Sequence, residues 1–328
     1  MHAWNSEIWR KLLARQENQP HALLIEGPRG IGKLALARLF AQITLCESPR
    51  ADQPCQHCEG CRWFLAGQHP DYRQIEPEAL AGPQFAPEDA PAAVSKSAKP
   101  SHEIKIAQVR QLTDFLNIGS HRGRRRIALF HPAESMNANA ANSLLKSLED
   151  PPQGAAFILI TNSKMQLLPT IRSRCVCVSM GVPERRQGLA WLEQEQVENA
   201  QDWLAYSGGA PLLAQELADS GRGPQIMQLI TLLRKGGKAS LENWPANSRE
   251  DLEVLSEVLQ KWAYDQVLAE FSRESNFCMS SIPKAGSQSR HRAEWMRFAR
   301  LAGHYRIAAG HPLNPKLFAS DLISRMPA

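Results

Sequence analysis

"GPRGIGKLALARLF", residues Gly27 to Phe40, is the stretch on which the fold turns. Gly27, Gly30, Gly32 and Lys33 fall at the G-x-x-x-x-G-K spacing of a phosphate loop. That motif carries meaning only between a strand and a helix, and the flanks predict both. "ALLIE" (Ala22 to Glu26) is a short apolar run suited to a strand buried on both faces. After the loop, Leu36, Leu39, Phe40 and Ile43 recur at helical spacing, which predicts a helix over Lys33 to Leu45 with that side against a sheet. In such a loop, backbone N–H groups converge on phosphate at the positive end of the helix, and Lys33 reaches the β and γ oxygens. The next position normally offers magnesium a Ser or Thr hydroxyl. Here it is Leu34.

Strand-like runs recur at Tyr72 to Glu76, Arg126 to Phe130 and Phe157 to Thr161. Helical patterns lie between them at Ile104 to Ile118 and Ala138 to Leu148, the latter stopped by Pro151 and Pro152. Alternation of this kind predicts an α/β domain around a parallel sheet. Beyond Met180 the strand-like runs vanish. A small helical segment containing "YSGGAPLLAQELA" (Tyr206 to Ala218) comes first, then a longer all-helical part whose strongest helix is "EVLSEVLQKWAYDQVLAEF". The Pro, Ala and Ser-rich stretch from Ala79 to His102 has no periodicity and is expected to be a mobile surface insertion. Internal repeats are absent.

With 328 residues, two or three domains are expected at about 150 residues each. An apolar fraction of 43% and a charged fraction of 22% argue against a disordered or fibrous chain. The net charge of +5 is too small to establish a polyanion partner. No apolar run is long enough to cross a bilayer. The start "MHAWNSEIWRKLL" lacks the apolar core of a signal peptide, so a cytoplasmic location is expected and no membrane partner.

Hydrolysis needs more than a loop. An acidic pair is expected at the end of a neighbouring strand, to hold metal and polarise water. After "RIALF" the chain reads "HPAE", so His131 and Pro132 take those places, and Glu134, two positions later on a turn, should point elsewhere. ATP cleavage in this chain is therefore not expected. Two roles for the loop stay open: weak nucleotide binding, or a glycine turn kept to pack strand on helix.

Cys46, Cys55, Cys58 and Cys61 lie within sixteen residues, whereas Cys175, Cys177 and Cys278 are scattered. Four thiolates suit a closed tetrahedral zinc site, with no open position for catalysis. An iron–sulfur cluster is the rival, but in the ferredoxin pattern a further cysteine and a proline follow, where "RWFL" stands here. His57 could replace one ligand. A zinc-dependent reader of nucleic acid is a third possibility, without the interleaved basic and aromatic residues it would need.

"NSLLKSLEDPP" (Asn142 to Pro152) and "FILITNSKMQLLPTIRSRC" (Phe157 to Cys175) closely resemble the run shared by bacterial clamp-loader subunits of the AAA+ class. Within that class, the tail "GHPLNPKLFASDLISRM" and the cysteine cluster followed by "GQHPDY" resemble the delta prime branch of the DNA polymerase III holoenzyme. The resemblance implies an AAA+ P-loop domain with a zinc-binding insertion (residues 1–180, zinc module about 46–61). A small helical lid (181–222) and an all-α collar (223–328) follow. It implies a non-hydrolysing stator in a five-membered ring with gamma or tau ATPase subunits and a delta subunit, acting on a sliding clamp and primer-template DNA, with one structural zinc and weak or no ATP or ADP binding. The lid arginine that senses γ-phosphate in active subunits is replaced by Pro211. Ser173, Arg174 and Cys175 resemble the motif whose arginine reaches the ATP of the adjacent subunit. A finger of that kind, supplied in trans, is worth about 10³ to 10⁵ in rate.

"HRGRRR" (His121 to Arg126) is either a solvated turn or a contact to the DNA backbone. The eight tryptophans show no stacking pattern and are expected in cores and subunit contacts. Two rival functions remain, an active clamp-loader ATPase and the zinc-dependent nucleic-acid module.

Overall fold

The computed structural model describes residues 1–15, 20–80, 100–117, 125–163, 165–241, 244–270, 277, 289–309, 311 and 314–327. Cys278, most of the Ala79 to His102 stretch and residues 121–124 of the arginine run lie outside these. The chain divides into two compact units, Met1–Val182 and Pro183–Ala328.

In the first unit a short 3-10 turn (Ala3–Asn5) leads into α1 (Ser6–Leu13), then β1 (Ala22–Glu26), α2 (Lys33–Leu45), α3 (Glu59–Leu65), β2 (Tyr72–Ile75) and α4 (Ile106–Asn117). After these come β3 (Arg126–Phe130), a second 3-10 turn (Ala133–Ser135), α5 (Ala138–Glu149), β4 (Ala155–Thr161), α6 (Pro169–Arg172) and β5 (Val176–Ser179). The five strands form one sheet in the order β2-β3-β4-β1-β5, parallel throughout. Every residue of β1, β3 and β4 is buried, as unbroken apolar runs demand when helices cover both faces. The edge strand β5 is largely exposed.

α2 buries Leu36, Phe40 and Ile43 as the spacing predicts, while Leu39 is half-buried. α5 begins where the Asn137 side chain accepts the N–H of Ala140 at 2.9 Å, which satisfies one of the open donors of its first turn. It lays Ala140, Ala141, Leu144 and Leu148 on the core and ends at the prolines, leaving Glu149 at its outer end. α6 is a single turn that starts on Pro169 and inserts the fully buried Ile171 into the same core.

In the second unit the described residues contain no strand. α7 (Arg185–Gln194), α8 (Ala200–Tyr206), α9 (Pro211–Asp219) and α10 (Gly223–Gly236) precede a 3-10 stretch (Gly237–Leu241) and α11 (Arg249–Glu270), α12 (Ser289–Ala308) and α13 (Pro315–Ser324). One core runs through them, from Leu192 and Trp203 to Leu255, Trp295 and Leu322. Pro211 stands at the first position of α9 and is buried. None of the described helices is long and apolar enough to cross a membrane.

Candidate functional site

The carboxyl ends of parallel strands gather the polar groups. Gly27 sits so close to the end of β5 that a Cβ there would lie 2.2 Å from the carbonyl oxygen of Met180. Gly32 has φ +89°, a left-handed conformation, and its open side faces the ring of His2 and the amide of Asn5. The N-terminal turn lies against this loop: Trp4 Nε1 and Asn5 Nδ2 both donate to the carbonyl of Ile31, at 3.1 and 3.2 Å. His2 stacks on Trp4 with ring centroids 4.5 Å apart.

Lys33 opens α2 and is nearly buried. Its Nζ donates to the carbonyls of Gly27 (2.8 Å) and Pro28 (2.5 Å), and to Oδ1 of Asn162 (2.8 Å), which follows β4. Burial lowers its pKa to about 8; the Glu134 carboxylate partly opposes that shift, and Arg29 adds to it. A phosphate would engage this ammonium by displacing one of these three acceptors, two of which are carbonyls of the loop itself. The side chain of Leu34 offers a metal no ligand.

Glu134 departs from the sequence expectation. It does not point away: Oε1 accepts the N–H of Asn162 at 2.9 Å, and its charge acts on Lys33. The 3-10 turn after β3 brings it back toward the loop. His131 instead pairs with Glu76, Nδ1 lying 3.2 Å from Oε1. The Glu134 carboxylate is thus tied to a backbone amide.

Arg174 follows α6 and leads into β5 on the sheet edge. Its Nη2 lies 2.5 Å from Oε1 of Glu149, and its Nη1 donates to the carbonyl of Thr170 at 3.0 Å. Both partners of the ion pair are partly exposed, 34% and 53%. Ser173 donates its hydroxyl to the same Thr170 carbonyl. Cys175 is packing: it lies against the core, and burial, with Cys177 nearby, pushes its thiol up to about 12. Of the arginine run, Arg126 is withdrawn from solvent. It pairs with buried Asp71 at 3.4 Å and stands over the ring of Phe115, whose carbonyl it also engages.

The cysteine cluster closes on itself. The sulfurs of Cys46, Cys55, Cys58 and Cys61 all lie within 4.8 Å of one another. Two of the separations are 3.9 Å (Cys46 to Cys58) and 4.0 Å (Cys55 to Cys61). Tetrahedral Zn–S bonds near 2.3 Å place sulfurs about 3.8 Å apart, so the set fits such an ion. Backbone N–H groups of Cys55, Cys58 and Cys61 each donate to a cluster sulfur at 3.3 Å, which favours the thiolate form a metal requires. His57 is exposed, its Nδ1 donates to the Cys55 carbonyl at 2.6 Å, and it stands outside the set of four sulfurs. Trp9 Nε1 donates to the carbonyl of Asp52 at 2.9 Å and holds the module to α1.

The family model for DNA polymerase III, delta subunit, matches residues 4–183. The DNA polymerase III subunit delta' of Pseudomonas aeruginosa is 38% identical over 72% of this chain and 66% of its own length. The corresponding subunit of Escherichia coli is 32% identical over 63% of this chain and 58% of its own. The matched stretches thus span less than two thirds of those relatives' own length, 66% and 58%. Among solved structures, a gamma subunit-related protein of Thermotoga maritima is 17% identical over 97% of both chains at a TM-score of 0.44, too loose a likeness to carry weight. By the family match and the Pseudomonas relative, the chain belongs to the family of DNA polymerase III, delta subunit.

Proposed function

We propose that this chain is a non-hydrolysing clamp-loader subunit in DNA replication, which supplies Arg174 to ATP bound by a neighbouring subunit. One contrast carries this reading. The chain's own phosphate loop has Lys33 bonded to loop carbonyls and Asn162 with Leu34 beside it, while Arg174 sits at the start of the edge strand on an exchangeable surface pair. In that role Arg174 trades Glu149 for the γ-phosphate of the adjacent nucleotide. A planar, permanently charged guanidinium suits the charge that develops there. Partners of this role are ATPase subunits and a delta subunit in a ring, with a sliding clamp and primed DNA. Residues 181–222 would serve as the lid and 223–328 as the collar. Zinc at Cys46, Cys55, Cys58 and Cys61 would hold the insertion between α2 and β2, without chemistry of its own.

The test is ATP turnover by the isolated chain and by its mixture with ATPase partners and primed DNA. The isolated chain should release no phosphate above background, and adding it to the partners should raise theirs. Turnover by the isolated chain that vanishes in Lys33→Ala would support the rival, an active ATPase subunit.

A further inference from the structure

The finger role leaves Arg172 unused, yet its contacts are less expendable than those of Arg174. α6 is one turn of four residues, too short to persist by its own hydrogen bonds. Side chains must fix it. Ile171 anchors its inner side, and on the outer side Nη2 of Arg172 lies 3.6 Å from Oε2 of Glu26. Glu26 is the last residue of β1, immediately before the phosphate loop, and only 2% exposed. Its other oxygen accepts the hydroxyl of Ser179 at 2.5 Å, and its carbonyl accepts the N–H of Met180 at 2.7 Å. One buried residue at the entrance to the loop therefore joins the end of α6 and the end of β5, through its carboxylate and its carbonyl.

A buried carboxylate is costly unless a charge faces it, so Glu26 gains from the Arg172 guanidinium even though that side chain is itself 44% exposed and the contact lies beyond hydrogen-bond distance. The difference lies in the carboxylates: Glu149, the partner of Arg174, is 53% exposed and is solvated by water when the pair opens, so that pair exchanges at little cost. We propose that Arg172 is a positioning residue: held by Glu26, it sets the direction of α6 and thereby the place from which Arg174 reaches the neighbouring nucleotide. Arg172 itself touches no phosphate. This inference rests on the finger role of Arg174.

The experiment measures kcat and KM for ATP in the complex reconstituted with ATPase partners, clamp and primed DNA, with assembly checked by gel filtration. It compares the unmodified chain with Arg172→Ala, Arg172→Lys, Arg174→Ala and the double alanine variant. Displacement of a reacting group by an ångström costs up to about 10²-fold in rate. Arg172→Ala should lower kcat roughly 10-fold or more with KM unchanged, Arg172→Lys should recover part of it, and the double variant should be no slower than Arg174→Ala alone. Equal fold-losses from Arg172→Ala in both backgrounds, or full turnover in Arg172→Ala, would overturn positioning while leaving the finger intact. Full turnover in Arg174→Ala would overturn the finger, and positioning with it.

Discussion

Oδ1 of Asn162 accepts a hydrogen bond from Nζ of Lys33 at 2.8 Å, tying the end of β4 to the lysine of the phosphate loop. The same Asn162 gives its backbone N–H to Glu134, so lysine, amide and carboxylate form one chain of contacts at the carboxyl edge of the sheet. The loop is thereby a packed part of the domain, and its lysine can be tested as one.

Lys33 has its pKa lowered to about 8 by burial, from 10.5. The folded state therefore disfavours the proton. Between pH 8 and 10.5 the unfolded chain binds more protons, and stability rises with pH across that window. Lys33→Met lacks this contribution. Denaturant unfolding of both proteins from pH 7.5 to 10 should show the difference moving in favour of the unmodified chain by roughly 1 kcal/mol per pH unit. Parallel curves would contradict the assignment.

At Gly27 the prediction concerns shape. A Cβ would lie 2.2 Å from the Met180 carbonyl oxygen, whereas one at Gly181 meets nothing within 4 Å. Gly27→Ala should lower stability by about 2 kcal/mol or more, and Gly181→Ala should stay within about 0.5 kcal/mol. Thermal melts of the two variants decide it; equal shifts would mean that the loop does not need this close approach.

Arg126 and Asp71 are buried together, with 6% and 2% side-chain exposure. Arg126→Ala leaves Asp71 without that charge and should cost roughly 3 to 5 kcal/mol. Arg125→Ala, on a partly exposed side chain, should cost less than about 1 kcal/mol. Urea unfolding midpoints report both. A mild effect of Arg126→Ala would return this residue to the list of candidate DNA contacts.

Elemental analysis should find one zinc per chain, lost in Cys61→Ser and retained in Cys177→Ser. Structural zinc contributes on the order of 10 kcal/mol of apparent binding free energy to a small module. Chelation should therefore open residues 46–61 to protease while leaving the Lys33 region protected. A metal-free chain equally resistant to cleavage at 46–61 would mean that the cysteines hold the module unaided.

Local pattern made much of this legible. β1 and β3 begin and end where their apolar runs do, because strands buried on both faces need unbroken apolar sequence. The cysteine spacing alone brought four sulfurs into view as a set. Three features were hidden, each for a reason of distance or exposure. β5 is a four-residue edge strand with little burial, so it carries no hydrophobic signature. Glu134 was expected to point away because the 3-10 turn that reverses it has no clear marker in "HPAE". The partner of Arg172, at the end of α6, is Glu26, at the end of β1 and 146 residues earlier, and no spacing rule joins them.

The most direct measurement is ATP turnover by the reconstituted complex carrying Arg174→Ala. Complete assembly with turnover reduced about 10³-fold or more is the predicted result. Full assembly with unchanged turnover would contradict the claim that this chain acts on a nucleotide held by its neighbour.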